Sequence, residues 1–118
     1  MMLRNAIQLL FFASVLLQSC NMKFEKGKWK RTDPAFPPEE RPRMLNDLIK
    51  NYKLIGVKYN ALIALLGSPD FIDSSNRRIS YEIKLHYDMI DPDSGEYLEF
   101  DFDSDSTIRK YNVRDWKK

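Results

Sequence analysis

The spacing of apolar and polar positions changes several times along this chain. Near the start, Ala6 to Leu17 reads "AIQLLFFASVLL", an apolar run interrupted only by Gln8 and Ser14. It is shorter than the ~20 residues a bilayer-spanning helix requires. Behind Pro42, the residues Met44, Leu45, Leu48, Ile49 and Tyr52 gather on one side of a helical projection, with Asn46, Asp47, Lys50 and Asn51 opposite. That pattern predicts a helix from about Pro42 to Lys53, with proline suited to its first turn. Gly56 interrupts it, and a second helix is expected over Tyr59 to Leu66, burying Leu62, Ile63, Leu65 and Leu66. Gly67 is placed to end that helix in a left-handed cap, and Ser68-Pro69 prevents its continuation.

After Asp70 the period falls to two. Ile79, Tyr81, Ile83, Leu85 and Tyr87 alternate with Ser80, Glu82, Lys84 and His86, as in a strand with one face buried. "DPDSGE" is expected to turn the chain into a second strand, which sets Leu98, Phe100 and Phe102 against Glu99, Asp101 and Asp103. "DSDS" turns it again into a third strand from Ile108 to Trp116, with Tyr111 and Val113 inward and Lys110, Asn112 and Arg114 outward. The basic residues of the third strand would face the acidic ones of the second. The fold expected is α+β: two short N-terminal helices packed on a three-stranded antiparallel β-meander over residues 43–118.

Composition adds limits. The 118 residues suit one small domain, and 43% hydrophobic with 31% charged content is that of a globular chain. Charge is uneven: Cys20 to Lys58 holds ten basic against five acidic residues, and Tyr59 to Lys118 holds eight against twelve. An acidic folded part with a short basic tract is no footprint for nucleic acid. Cys20 is the sole cysteine, which rules out an internal disulfide framework and cysteine-based zinc sites.

That cysteine stands directly behind the apolar run. A basic start at Arg4 and a short apolar stretch make a secretory signal peptide. Leu17-Gln18-Ser19-Cys20 resembles the bacterial lipobox, with Gln18 at a position that usually holds a small or β-branched residue. The resemblance implies a signal peptide over residues 1–19, removed by cleavage, and a diacylglycerol thioether on Cys20 that anchors the protein in membrane lipid. The other readings are a secreted protein with a free thiol and an uncleaved apolar anchor. A catalytic Cys20 lacks a partner, because the only histidine, His86, lies on a patterned strand.

Residues 20–42 then read as a tether. Lys23, Lys26, Lys28, Lys30 and Arg31 would add to membrane attraction, with Phe24 and Trp29 suited to the lipid interface. Pro34, Pro37, Pro38 and Pro42 favour an extended spacer holding the domain off the membrane; in the alternative, Phe36 docks on the domain.

With these elements in order, two stretches resemble a family. "LIGVKYNALIALLGSPD", Leu54 to Asp70, is similar to the second-helix signature of the small SmpA/OmlA (BamE-like) lipoprotein domain. "LEFDFDSDSTIRKYNV", Leu98 to Val113, is similar to its hairpin. Lys58 stands where the family often has a capping Ser or Thr, and Ser106 where it has a turn glycine. The resemblance implies a non-catalytic envelope lipoprotein that binds or stabilises protein assemblies. Its best-known members serve outer-membrane barrel assembly; others inhibit enzymes, so an inhibitor or ligand-binding module is the alternative. Asn21, rather than Asp, after Cys20 favours the outer membrane facing the periplasm.

Candidate chemistry is sparse. His86 has Glu82 and Lys84 on the same expected face and no second imidazole. Asp101, Asp103 and Asp105 have calcium-loop spacing, but Ser106 occupies the glycine position and Asn112 that of the bidentate Glu. No cofactor, metal or catalytic residue is expected. An envelope-protein partner would meet the polar sheet face through Trp116 and Tyr97, since aromatic anchors dominate interfaces. A bend after Val113 would instead fold Trp116 over the helices.

Overall fold

The computed structural model describes residues 21–118; Cys20 and the apolar leader lie outside the described residues. The described chain is α+β, with α1 at Lys26–Trp29, α2 at Arg41–Asn51, α3 at Tyr59–Leu66, and strands β1 Phe71–Asp73, β2 Arg78–Asp88, β3 Asp91–Phe102 and β4 Ile108–Lys117. The four strands form one antiparallel sheet in the order β1-β2-β3-β4. No helix among the described residues is long and apolar enough to cross a membrane.

The strand count differs from the expected three. β1 is only three residues long, too short for alternation to register, and pairs Phe71 with Ser80 through Asp73 with Arg78. The hairpin between β2 and β3 is also longer than "DPDSGE" suggested. That stretch lies inside β3, and the turn falls at Met89 and Ile90, with Met89 at φ +63°.

One core lies between the helices and one sheet face. Met44 and Leu48 of α2 and Leu62 and Leu66 of α3 meet Ile79, Tyr81, Ile83, Leu98, Phe100, Phe102 and Ile108. At roughly 1.5 to 3 kcal/mol per large buried side chain, this contact is the main favourable contribution. Val113 shares the register position of Leu98 but stays exposed.

The expected tether is the largest correction. Trp29 is fully buried and Phe24 nearly so, both inside the core, so neither is available to lipid. The one-turn helix α1 turns its aromatic inward while Lys26, Lys28 and Lys30 stay in water. The Phe24 amide donates to Asp47 at 2.7 Å, tying this segment to α2. The packed unit therefore begins near Met22, whose amide donates to the Arg43 carbonyl, and not at Arg43. The proline-rich stretch lies along the domain: Phe36 meets Tyr87 edge-on at 5.7 Å, as the docking alternative held.

Arg41 and Arg31 fix this arrangement. Arg41 is fully buried, its guanidinium 5.2 Å from the Trp29 ring centre and 5.8 Å from that of Tyr81. It donates to the Trp29 carbonyl (2.7 Å), the Asp70 carboxylate (2.7 Å) and the Glu82 carbonyl (2.6 Å). Asp70 in turn accepts from the Glu82 amide and from Arg31, which also reaches the Glu82 carboxylate. Burial pulls the Arg41 pKa down, and the Asp70 carboxylate opposes that pull. At Arg31 the bonds to Glu82 and Asp70 outweigh burial, and its pKa rises.

Candidate partner-binding face

Two of the three register shifts in the sheet shape its face away from the helices. Ile83 is an extra residue between the pairs Glu82–Tyr97 and Lys84–Glu96. A single inserted residue exchanges the faces of everything beyond it. Leu85, expected beside Tyr81 in the core, therefore sits on the opposite face with Gly95 and Trp116. The second bulge, at Arg109, lies between the pairs Asp101–Lys110 and Phe102–Ile108. It brings Lys110, Asn112, Arg114 and Trp116 onto the same face as Tyr97, although Ile108 faces the core.

On that face four aromatic and aliphatic side chains line up across all four strands. Phe71 of β1 meets Tyr97 of β3 edge-on at 5.5 Å, and Tyr97 stacks on Trp116 of β4 at 6.3 Å with an interplanar angle of 18°. Trp116 then crosses Gly95 toward Leu85 of β2. A Cβ at Gly95 would lie 2.7 Å from the indole nitrogen and 2.8 Å from the Lys84 carbonyl, so the glycine is what lets the indole lie flat on the strand. The Arg114 guanidinium lies 5.8 Å from the Tyr97 ring centre, in cation–π range. A cleft of about 590 Å³ opens beside Trp116, lined by Leu85, His86, Ser94, Gly95 and Lys117 among others.

The remainder of this face is a lattice of charge pairs. Arg78 donates to Asp101 at 2.7 Å, Lys110 lies 3.5 Å from the same carboxylate, and Arg114 reaches Glu99 at 2.8 Å. Glu99 and Asp101 are thus buried under neighbouring strand side chains, and Glu82 is buried beside Arg31, which follows α1. The Arg78 hydrogen bond holds the Asp101 carboxyl below the usual carboxylate range. Burial, aided by the Glu82 charge, pushes the Tyr97 phenol up against the opposing pull of Arg114.

The two aromatic residues singled out in the sequence, Tyr97 and Trp116, are therefore brought together, and Trp116 does not fold over the helices. Phe71, Leu85, Gly95 and Arg114 complete the strip and were not singled out. Gly95 offered a signal, a strand glycine opposite an aromatic; Leu85 gave a misleading one, because the bulge is invisible in the period. His86 is exposed, with Nδ1 2.7 Å from Asp93, whose carboxyl is held low by that contact. Among the described residues no three His, Cys, Asp or Glu side chains converge to hold a metal. Asp103 instead accepts the Asp105 and Thr107 amides, shaping its turn. Cys20 lies outside the described residues.

Comparison of the chain with protein-family models, with curated proteins and with solved structures finds no match. The resemblance to the SmpA/OmlA domain thus rests on the sequence stretches quoted above.

Proposed function

We propose that this is a non-catalytic bacterial envelope lipoprotein, anchored through acylated Cys20, whose domain binds an envelope protein and stabilises its assembly. The observation that carries the reading is the Tyr97–Trp116 stack on the helix-free sheet face, with Arg114 beside it. Trp, Tyr and Arg are the residues that most often dominate interface energy, and here they sit together on a rigid sheet. The lipobox-like stretch supports the anchoring, and the SmpA/OmlA resemblance supports an accessory role of the kind its members have in barrel assembly. Outer-membrane attachment facing the periplasm is the placement that goes with Asn21 after Cys20.

The experiment is crosslinking of the lipidated protein in cells, affinity purification and mass spectrometry, with wild type beside Trp116→Ala. A neighbour captured by wild type and lost from Trp116→Ala supports the reading. Equal capture by both removes the aromatic strip from it, and stoichiometric inhibition of an envelope hydrolase would replace it with the inhibitor alternative. For the anchor, Cys20→Ser should abolish palmitate labelling and leave a heavier precursor. A mutant that is still labelled, or a wild type that never is, excludes lipidation at Cys20.

A further inference from the structure

The two edges of the sheet are treated differently. On the β1 side the long strand β2 is covered over part of its length: β1 pairs with Arg78 to Ser80, and just beyond it the Glu82 amide and carbonyl are taken by the Asp70 carboxylate and the Arg41 guanidinium. The β4 edge is closed only at its start, where Gly56 donates to the Ile108 carbonyl and Ile108 donates to the Val57 carbonyl.

From there to Lys117 the edge is open. The Phe102 amide bonds to Arg77, which turns Phe102, Phe100 and Leu98 toward β2 and leaves Asp101, Glu99, Tyr97 and Gly95 to bond β4. Their partners Lys110, Asn112, Arg114 and Trp116 therefore point their backbone groups inward. The Lys118 amide, which donates to Asp93, keeps the same alternation. Tyr111, Val113, Asp115 and Lys117 turn their amides and carbonyls outward, a template for another strand.

The side chains along this edge define what would fit. On the helix side the edge shows Tyr111 and the exposed Val113, followed on the same face by the exposed Asp115 and Lys117. On the other side Lys110 and Arg114 remain 61% and 55% exposed although each touches a carboxylate of β3. Arg109 and Lys117 are exposed at either end. A second copy fits badly: antiparallel self-pairing centred on Val113 sets Arg109 against Lys117 at both ends, like charges directly opposite. Over Lys110 to Arg114, an added strand with acidic residues beside Lys110 and Arg114 and apolar residues beside Tyr111 and Val113 meets complementary neighbours.

We infer that the β4 edge takes an extended segment of a partner protein, alternating acidic and apolar residues, as a fifth strand. The inference rests on the protein-binding reading above and names the chemistry of the segment bound.

The test uses the full chain in mild detergent and a capped eight-residue peptide alternating glutamate and valine, with a lysine–valine peptide as control. Amide hydrogen exchange is read residue by residue. The glutamate peptide should slow exchange at Tyr111, Val113 and Asp115 by about tenfold or more, leaving Asn112 and Arg114, already bonded to β3, unchanged. The lysine peptide should not. Val113→Pro removes one outward donor without touching the β3 ladder and should abolish the protection. If that variant misfolds, the Arg109→Glu, Lys117→Glu pair should weaken the protection instead. No protection by the glutamate peptide, or equal protection by both peptides, overturns the inference. In cells, partner capture that is lost from Trp116→Ala yet intact in Val113→Pro overturns the edge and keeps the aromatic face; the reverse pattern keeps the edge and removes the face.

Discussion

Arg41 and Asp70 together finish the edge of β2, the guanidinium taking the Glu82 carbonyl and the carboxylate taking the Glu82 amide while they bind each other at 2.7 Å. Two side chains thus do what one residue of a neighbouring strand would do. They also join three distant parts of the chain, because Arg41 opens α2, Asp70 precedes β1 and the carbonyl of Trp29 in α1 accepts from Arg41.

Removing Arg41 leaves the Trp29 and Glu82 carbonyls unpaired, empties the space its buried side chain fills, and leaves Asp70 with Arg31 as its remaining cation. Arg41→Ala should therefore cost about 3 to 5 kcal/mol. Arg41→Lys should recover little, since an ammonium cannot reach the Trp29, Asp70 and Glu82 acceptors with a planar fork. A urea midpoint on the soluble chain from Asn21 measures both; a loss below about 1 kcal/mol for Arg41→Ala would show that the edge holds without it.

Much of this fold was legible in the period of the sequence. The expected helix Tyr59 to Leu66 has those bounds in the structure, the first helix, β2 and β4 lie where the pattern put them, and β3 holds the expected second strand but also takes in the stretch expected as its turn. What stayed hidden has physical causes. Trp29 sits between Lys28 and Lys30, and a single helical turn is too short to show a face, so a basic tract concealed a core residue. Arg41 shows no periodic signal because its role depends on Asp70, 29 residues away. The extra residue Ile83 is apolar and buried, so β2 still looked regular while Leu85 changed sides. The candidate site was half visible: Tyr97 and Trp116 by residue type, and Phe71, Leu85 and Arg114 only through register.

Gly67 ends α3 at φ +79°, ψ −172°, not in the left-handed cap expected but in a region open essentially to glycine alone. A Cβ there would also come within 3.0 Å of the Lys30 side chain, which is flexible and can move. The backbone conformation therefore sets the cost. Gly67→Val should destabilise by more than about 1 kcal/mol. An unchanged urea midpoint would place the residue in another conformation.

Ser106 offers the opposite change. It holds φ +59° in the turn before β4, where its carbonyl accepts from the Tyr59 amide. A non-glycine residue there is strained, and glycine relieves the strain while adding freedom to the unfolded chain. Ser106→Gly should gain up to about 1 kcal/mol in the same urea titration. A lower midpoint would mean the Ser106 side chain contributes more than its backbone costs.

Acid should weaken the sheet through Asp101. Its folded pKa is depressed by the Arg78 hydrogen bond, so its contribution is present above the unfolded aspartate value and is lost as pH falls through the folded one. Glu96 has the opposite sign: burial raises its pKa, so lowering the pH relieves rather than adds a penalty there. Midpoints measured from pH 7 down to about 3 should fall less steeply in Asp101→Asn than in wild type. Parallel curves would show that the Arg78 pair does not report on folding.

Trp116 tests whether the aromatic strip is for binding or for stability. Its indole is half-buried on Tyr97 and Gly95, and its N–H finds no acceptor within the described residues. The stack adds about 0.5 to 1.5 kcal/mol to the burial of half the ring, and an unpaired donor subtracts from that, so Trp116→Ala should lower stability by about 1 to 2 kcal/mol. A core tryptophan such as Trp29 would instead cost about 3 to 5 kcal/mol on the same substitution. Partner capture should fall by roughly 5- to 30-fold, the equivalent of 1 to 2 kcal/mol at an aromatic anchor. Thermal unfolding beside crosslinking yield separates the two roles, and Tyr97→Ala supplies the check, because it removes the other half of the stack and the ring under Arg114. If both variants unfold early and neither loses its partner selectively, the strip is a brace for β4 and the binding surface lies elsewhere.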